Sequence, residues 1–309
     1  MIQAFVIGLL AFGLGVWTLL VLYFSPLLPA GWRGGAMVIF ALALALLMMN
    51  SRRWVLVPAA ILFVGAVVSA LYAKLEPKGL ADWRPEVSVP PEARFDGDRV
   101  ALSHVRDFRF RDGEVTEQRY LDRDIDLSRL TGVDFLISYW DEERAVAHTM
   151  MSFQFEGEEA LCISVEARRE AGEDWNVLPG LFRQFELFYV VGTERDLIGQ
   201  RIHDRGERVY RFRTELSAAD GRAFLTNVLH AAEDLRNNPV WYQTLSNNCT
   251  TTLVHHLNEV WPDRAPYEKR LWLNGYTPQH AWDAGLIASE TSFEDYVASS
   301  EVLGEDLEH

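Results

Sequence analysis

Cysteine is nearly absent from this sequence: the 309 residues include only Cys162 and Cys249, so no disulfide framework can organise the fold. Positive charge is also scarce, with 29 Lys and Arg against 44 Asp and Glu and a formal net charge of −15. That balance argues against nucleic acid as a partner and against an electrostatic grip on anionic lipid. His-Glu-x-x-His spacing and paired short-spacing ligands are missing, so no metal is expected. There is no phosphate-cradling glycine loop, internal repeat or low-complexity block, and no cofactor is expected. The first apolar run lacks the small-residue cleavage pattern of a signal peptide, and it is read as retained.

Long apolar runs are present in quantity. Ile2 to Phe24 is nearly unbroken, Gly35 to Met49 is shorter but charge-free, and Trp54 to Ala73 is again long enough to cross a bilayer. The expectation is a membrane anchor of about three helices over residues 1–75, with Trp17, Trp32, Trp54 and Tyr72 as interfacial aromatics. Arg52 and Arg53 favour a cytoplasmic loop between the second and third helices, which sends the C-terminal domain outside; Arg33, Lys74, Lys78 and Arg84 favour the reverse. Residues 76–94, with Pro77, Pro85, Pro90 and Pro91, read as an extended linker. An α+β domain is expected over 95–292, strand-rich first and helical later, followed by a solvated or frayed acidic tail over 293–309.

Within that domain, Cys249 stands where polar cap residues give way to a helical pattern. Leu253, Val254, Leu257, Val260 and Trp261 recur at helical spacing, so the thiol falls in the first turn with Asn247 or Asn248 as N-cap. Unpaired N–H groups and the positive dipole end favour thiolate there. His255 and His256 cannot be its base, because at 1.5 Å rise per residue His256 lies about 10 Å further along the axis. They are expected on the helix flanks, one solvated and one satisfied by a neighbour. A buried structural thiol is the plain alternative for Cys249, and a Cys162–Cys249 disulfide a second.

The best candidate base is His148 in the segment 145–166, which reads as a β-hairpin; a strand histidine with a satisfied hydrogen bond is the plain alternative. Odd positions 151, 153, 155, 161, 163 and 165 are apolar, while His148, Ser152, Gln154, Ser164 and Glu166 share the other face. One face is expected in the core and the other to be polar. A three-residue loop over Glu156 to Glu158 pairs Phe155 with Glu159 and sets His148 across from Glu166, which can fix the imidazole tautomer. If the register slips by two, Ser164 takes that orienting position. Arg168, Arg169 and Arg183 could meet a phospholipid head group, or pair with acids such as Glu170, Glu173 and Asp174.

A strand histidine, a polar partner on the next strand and a later helix-start cysteine resemble a papain-like site in circularly permuted order. The segments FLISYW (Phe135 to Trp140), AHTMMSF (Ala147 to Phe153), ISVEARRE (Ile163 to Glu170) and NNCTTTL (Asn247 to Leu253) resemble the Lnb N-terminal periplasmic domain family over roughly residues 95–290. The resemblance implies a Cys-His acyltransferase that N-acylates bacterial lipoproteins, with Cys249 at the nucleophile's position, His148 at the base's and Glu166 at a motif position. It also implies a bacterial inner-membrane protein with its C-terminal domain in the periplasm, a membrane lipid as acyl donor and a lipoprotein as acceptor. One departure is plain: here the membrane helices precede the domain, whereas Lnb carries them after it. For the oxyanion, the Cys249 backbone N–H and an Asn247 or Asn248 side-chain amide are the candidates. A cell-envelope cysteine peptidase, amidase or lipase would use the same residues, and a non-catalytic envelope binding module would use none of them.

Overall fold

The computed structural model describes residues 2–49, 56–140, 144–262, 269–287 and 289–307. The sharp change from apolar to mixed composition is reflected in two compact units, one of Met1–Lys78 with Trp175–Glu186 and one of Gly79–Asp174 with Leu187–His309.

The first unit holds α1 (Ile2–Phe24), α2 (Ala30–Met49), α3 (Leu56–Ala73) and the single turn α4 (Val177–Leu181). Among the described residues, Val6–Phe24 and Leu56–Ala73 are long and apolar enough to cross a membrane, and α2 offers the shorter stretch Ala30–Leu46. Phe12, Ile39 and Phe63 stand about 70% exposed, a placement that water penalises and lipid does not. Gly65 allows α1 and α3 to touch, since a Cβ there would lie 2.4 Å from Leu14. Trp17 and Tyr72 pack edge to face at 5.6 Å, and Trp17 also meets Phe182 at 5.4 Å. Arg33 donates to the Gln184 side chain at 2.9 Å. Arg52, Arg53 and Trp54, which entered the orientation and aromatic arguments, lie outside the described residues.

The second unit is α+β. Its strands are β1 (Glu92–Asp96), β2 (Arg99–Arg106), β3 (Arg109–Arg111), β4 (Glu114–Glu117), β5 (Tyr120–Asp126), β6 (Leu130–Tyr139), β7 (His148–Phe155), β8 (Glu158–Arg168), β9 (Glu186–Gly192) and β10 (Arg208–Arg213). They form a sheet in the order β1-β2-β9-β8-β7-β6-β10, with β5 also paired to β2, and β3 and β4 form a separate hairpin. Helices α5 (Glu194–Gly199), α6 (Ala218–Asn237), α7 (Cys249–Val260), α8 (Thr277–Asp283) and α9 (Phe293–Ser299) complete it, with a π-helical turn at Gln200–Asp204. Ser217 caps α6 by accepting from the Asp220 N–H at 3.1 Å.

The β7–β8 hairpin turns more tightly than its sequence suggests. Phe155 pairs with Glu158, not Glu159, across Glu156 and Gly157, the latter at φ of 68°. An irregularity between Phe153 and Phe155 restores the count, so Met150 faces Ser164 and the ladder continues toward His148 and Glu166. The expected division into a core face and a polar face holds, and both faces are covered. Phe153 packs on Phe224 of α6 at 5.6 Å, whereas on the other face Ser152 donates to Glu194 of α5 at 2.5 Å. Glu194 in turn accepts from Arg211 at 2.9 Å, so this polar face is buried with its hydrogen bonds made.

The ends of the domain are docked as well. Arg168 donates to the carbonyls of Val87 and Ser88 and stacks on Trp83, which draws the Pro-rich segment from Gly79 onward into this unit. In the acidic tail, Val302 and Leu307 are buried in a core cluster with Phe188 and Ile198, and Glu301 accepts both forks of Arg208 at 2.8 Å. Hydrophobic burial therefore overrides the charge that suggested a frayed end. Phe153 is wholly buried, so Phe153→Ala should lower unfolding free energy by about 3–5 kcal/mol. Denaturant titration of the full chain in detergent checks this; a loss below about 1 kcal/mol would show that the β7–α6 packing is wrongly assigned.

Candidate active site

Strand and helix ends converge here. Cys249 is the first residue of α7, and Asn248 is its N-cap, accepting from the N–H groups of Thr250 and Thr251 at 2.9 Å each. The Thr251 hydroxyl accepts from the Asn248 N–H at 2.9 Å and closes a capping box. Of the two N-cap candidates, Asn248 takes the place. Asn247 instead folds the preceding loop, accepting from the Thr252 hydroxyl at 3.1 Å.

His148 opens β7 and lies beside the sulfur. Its Nε2 is 2.7 Å from the Ser164 hydroxyl oxygen and 3.3 Å from Glu166 Oε1. Ser164 donates its own proton to Glu166 at 2.6 Å, so it accepts from the imidazole and the Nε2–H tautomer is fixed. That leaves Nδ1 to face Cys249, whose sulfur favours the charged imidazole. Both orienting residues considered from sequence are thus engaged together.

Behind Glu166 the network continues inward. Arg201, on the π-helical turn, donates to Glu166 at 3.3 Å and to Glu207 at 3.1 Å. Glu207 also accepts a short hydrogen bond from Ser138 on β6. Burial holds the Glu166 pKa up, but His148 and Arg201 outweigh it and bring that carboxyl well below the usual range. Burial and Arg201 both oppose a charged imidazole; Glu166 and the sulfur prevail and raise His148 to about 9. Burial likewise pushes the Cys249 thiol up, and His148 together with the Thr149 N–H and hydroxyl pulls it down to about 7. Between those two values a thiolate–imidazolium pair exists, titrating as a coupled unit.

Asn274 lies far along the chain and escaped the sequence reading. Its side chain accepts from the Ala147 N–H at 2.9 Å and donates to the Ala147 carbonyl at 2.6 Å. It also reaches Thr250 Oγ1 at 3.0 Å and Cys249 Sγ at 3.8 Å, joining the start of β7 to the start of α7. Gly275 permits this, since a Cβ there would sit 1.9 Å from the Arg144 carbonyl oxygen. The side-chain amides of Asn247 and Asn248, expected near an oxyanion, donate instead to the carbonyls of Trp241 and Thr244. This correction leaves the Cys249 N–H, which has no intrahelical carbonyl to bond, as the backbone donor at the site.

A family model for the Lnb N-terminal periplasmic domain matches residues 116–275, a span that takes in His148, Ser164, Glu166, Arg201, Cys249 and Asn274. The chain belongs to that family. No curated protein and no solved structure matches it. The match begins within β4 and ends one residue past Asn274.

Other reactive residues of the Lnb domain fall outside this cluster. Cys162 is wholly buried on β8 opposite Ser152, and burial pushes its thiol far above the ordinary range. Both cysteines are free, so the alternative disulfide does not form. His256 is bonded to the Tyr189 hydroxyl at 2.6 Å and exposed His255 meets Glu259 at 3.2 Å, as their helix positions suggested. Beside the site, between β6–β7 and helices α6, α7 and α8, lies an apolar cavity of about 70 Å³ whose walls include Phe135, Met151, Leu253 and Ala281.

Only thiolate reacts with iodoacetamide, so alkylation of Cys249 should rise with pH through a midpoint near 7 while Cys162 stays unmodified in the folded protein. Glu166→Gln removes the charge that favours imidazolium, which weakens the partner of the thiolate and should move the midpoint upward. Peptide mass spectrometry across pH 5–10 reads both; a wild-type midpoint at the ordinary thiol value would break the ion-pair assignment.

Proposed function

We propose that this chain is a membrane-tethered thiol acyltransferase whose His-before-Cys order is that of a circularly permuted papain-like enzyme. The observation that carries the reading is the buried Cys249–His148 pair, oriented by Ser164 and Glu166. The thiolate attacks an ester carbonyl, the C–S bond forms, and the ester C–O bond breaks as His148 gives its proton to the departing alkoxide. His148, now neutral, takes a proton from an incoming amine. The amine attacks the thioester, the amide bond forms and thiolate is released. The developing oxyanion is met by the Cys249 N–H at the helix start.

Membership in a family of periplasmic domains and two apolar N-terminal helices support a membrane-anchored protein. The fuller reading is a multi-pass protein of the bacterial inner membrane with residues 79–309 on the periplasmic side. Phospholipid is then present at high effective concentration and its ester is the natural donor, with the N-terminal amine of a lipoprotein as acceptor.

Purified protein given labelled phospholipid should trap an acyl group on Cys249, and a diacylated lipoprotein peptide with a free amine should discharge it as an N-acyl product. Cys249→Ser should abolish trapping and His148→Ala should slow it by about 10³-fold or more. Release to water alone would identify a lipase, and cleavage of peptidoglycan stem peptides without lipid trapping would identify a peptidase; either overturns the transferase. A reporter fused after His309 should be active in the periplasm, and cytoplasmic activity would reverse the topology.

A further inference from the structure

The apolar cavity touches the nucleophile through its walls. Thr250 Oγ1 is 3.8 Å from the Cys249 sulfur and 3.1 Å from Thr149 Oγ1; both threonines line the cavity. Two further lining residues are Thr214 and Thr277. All four hydroxyls have partners: Thr149 and Thr250 meet at 3.1 Å, Thr214 donates to the Val133 carbonyl at 2.7 Å, and Thr277 donates to the Asn274 carbonyl at 2.5 Å. What remains to face the space is methyl and methylene surface from these residues and from Phe135, Met151, Leu253 and Ala281. A water inside would need two to four polar partners, so the space favours hydrocarbon over water. A peptide or sugar would strand its own polar groups there.

We infer that this cavity is the subsite for an unbranched aliphatic acyl group, holding the carbons next to the carbonyl that Cys249 attacks. The inference rests on the acyl-transfer reading and names the class of acyl group it accepts. At about 70 Å³ the space is roughly half of one that admits benzene, so it holds the first few carbons and a longer chain continues out of it. Branching at those carbons, or a charged or hydroxylated chain, is excluded.

Binding can be read without chemistry in the full-length Cys249→Ser protein, reconstituted in nanodiscs with ¹³C-methyl methionine. Met151 lines the cavity, whereas Met150, its neighbour on the strand, points to the opposite face and is packed with Leu136 and Ile198. N-methylhexanamide should shift the Met151 methyl signal saturably and leave Met150 unmoved, while N-methylacetamide should need at least tenfold higher concentration. Ala281→Leu, or Val254→Phe from the α7 side, should weaken the hexanamide response about tenfold by filling the space. An absent Met151 response, or one equal for both amides, overturns the subsite.

With catalytic protein, the second-order rate of acyl-enzyme formation from p-nitrophenyl esters should rise roughly fourfold per methylene from acetyl to butanoyl. Ala281→Leu should flatten that rise. A flat profile with normal acyl-enzyme formation defeats the subsite and leaves the nucleophile assignment intact. Saturable hexanamide binding with no acyl-enzyme from any donor defeats the transferase and leaves the subsite.

Discussion

The buried ion pair of Cys249 and His148 exists only if two chain ends, the first residue of β7 and the first residue of α7, are held against each other. A helix dipole contributes about 0.3–1 kcal/mol to an anion at its start, which moves a thiol by less than one decade. The fall from an ordinary 9 to about 7 therefore needs the imidazolium, and the imidazolium needs a fixed distance. Asn274 supplies that constraint by bonding both backbone groups of Ala147, one residue before His148, while reaching Thr250, one residue after Cys249. Its geometry makes it a positioning residue, since it braces both partners from the side.

Burying that pair creates a second demand. Charges removed from water cost several kcal/mol each unless they are matched, and deleting one member of a matched buried pair costs about 3–5 kcal/mol. Glu166 answers His148, Arg201 answers Glu166, and Glu207 answers Arg201 while accepting from Ser138. The chain of alternating charge enters the domain through β8, the π-helical turn and the residue just before β10. A π-helical turn widens the helix and redirects one side chain; here the turn at Gln200–Asp204 carries Arg201.

Much of the local design was legible. Period-two alternation over 148–166 marked the hairpin, and Asn-Asn-Cys-Thr marked a helix start, because both signals are written in contiguous residues. The His148 register came out correctly although the turn was misjudged, since Glu156-Gly157 is one residue shorter than expected and the irregularity beyond Phe153 adds that residue back. Burial of the polar face could not be read off the hairpin, because its cover is Glu194 and Arg211, which lie 42 and more residues beyond Ser152. Arg201, Glu207 and Asn274 were invisible for the same reason: single polar residues in short segments carry no periodic signal, and only the tertiary fold sets them beside His148. Residues 293–309 read as acidic tail, yet Val302 and Leu307 are anchored in the core, and these two apolar side chains sufficed where net charge suggested solvent.

The alternation that built the hairpin also explains why reactive sulfur and apolar cavity adjoin without sharing a face. Successive strand residues point to opposite sides of a sheet. His148 therefore turns toward Ser164, Glu166 and the buried charges, while Thr149 and Met151 turn toward α6, α7 and the cavity. A thiol in the middle of either face would be confined to one environment. Placed at the start of α7 beside the strand's first two residues, Cys249 has the His148 imidazole on one side and Thr149 on the other, and both favour its thiolate. The strand end thus sets the buried charges and the apolar cavity on opposite sides of the sheet while leaving both within reach of one sulfur.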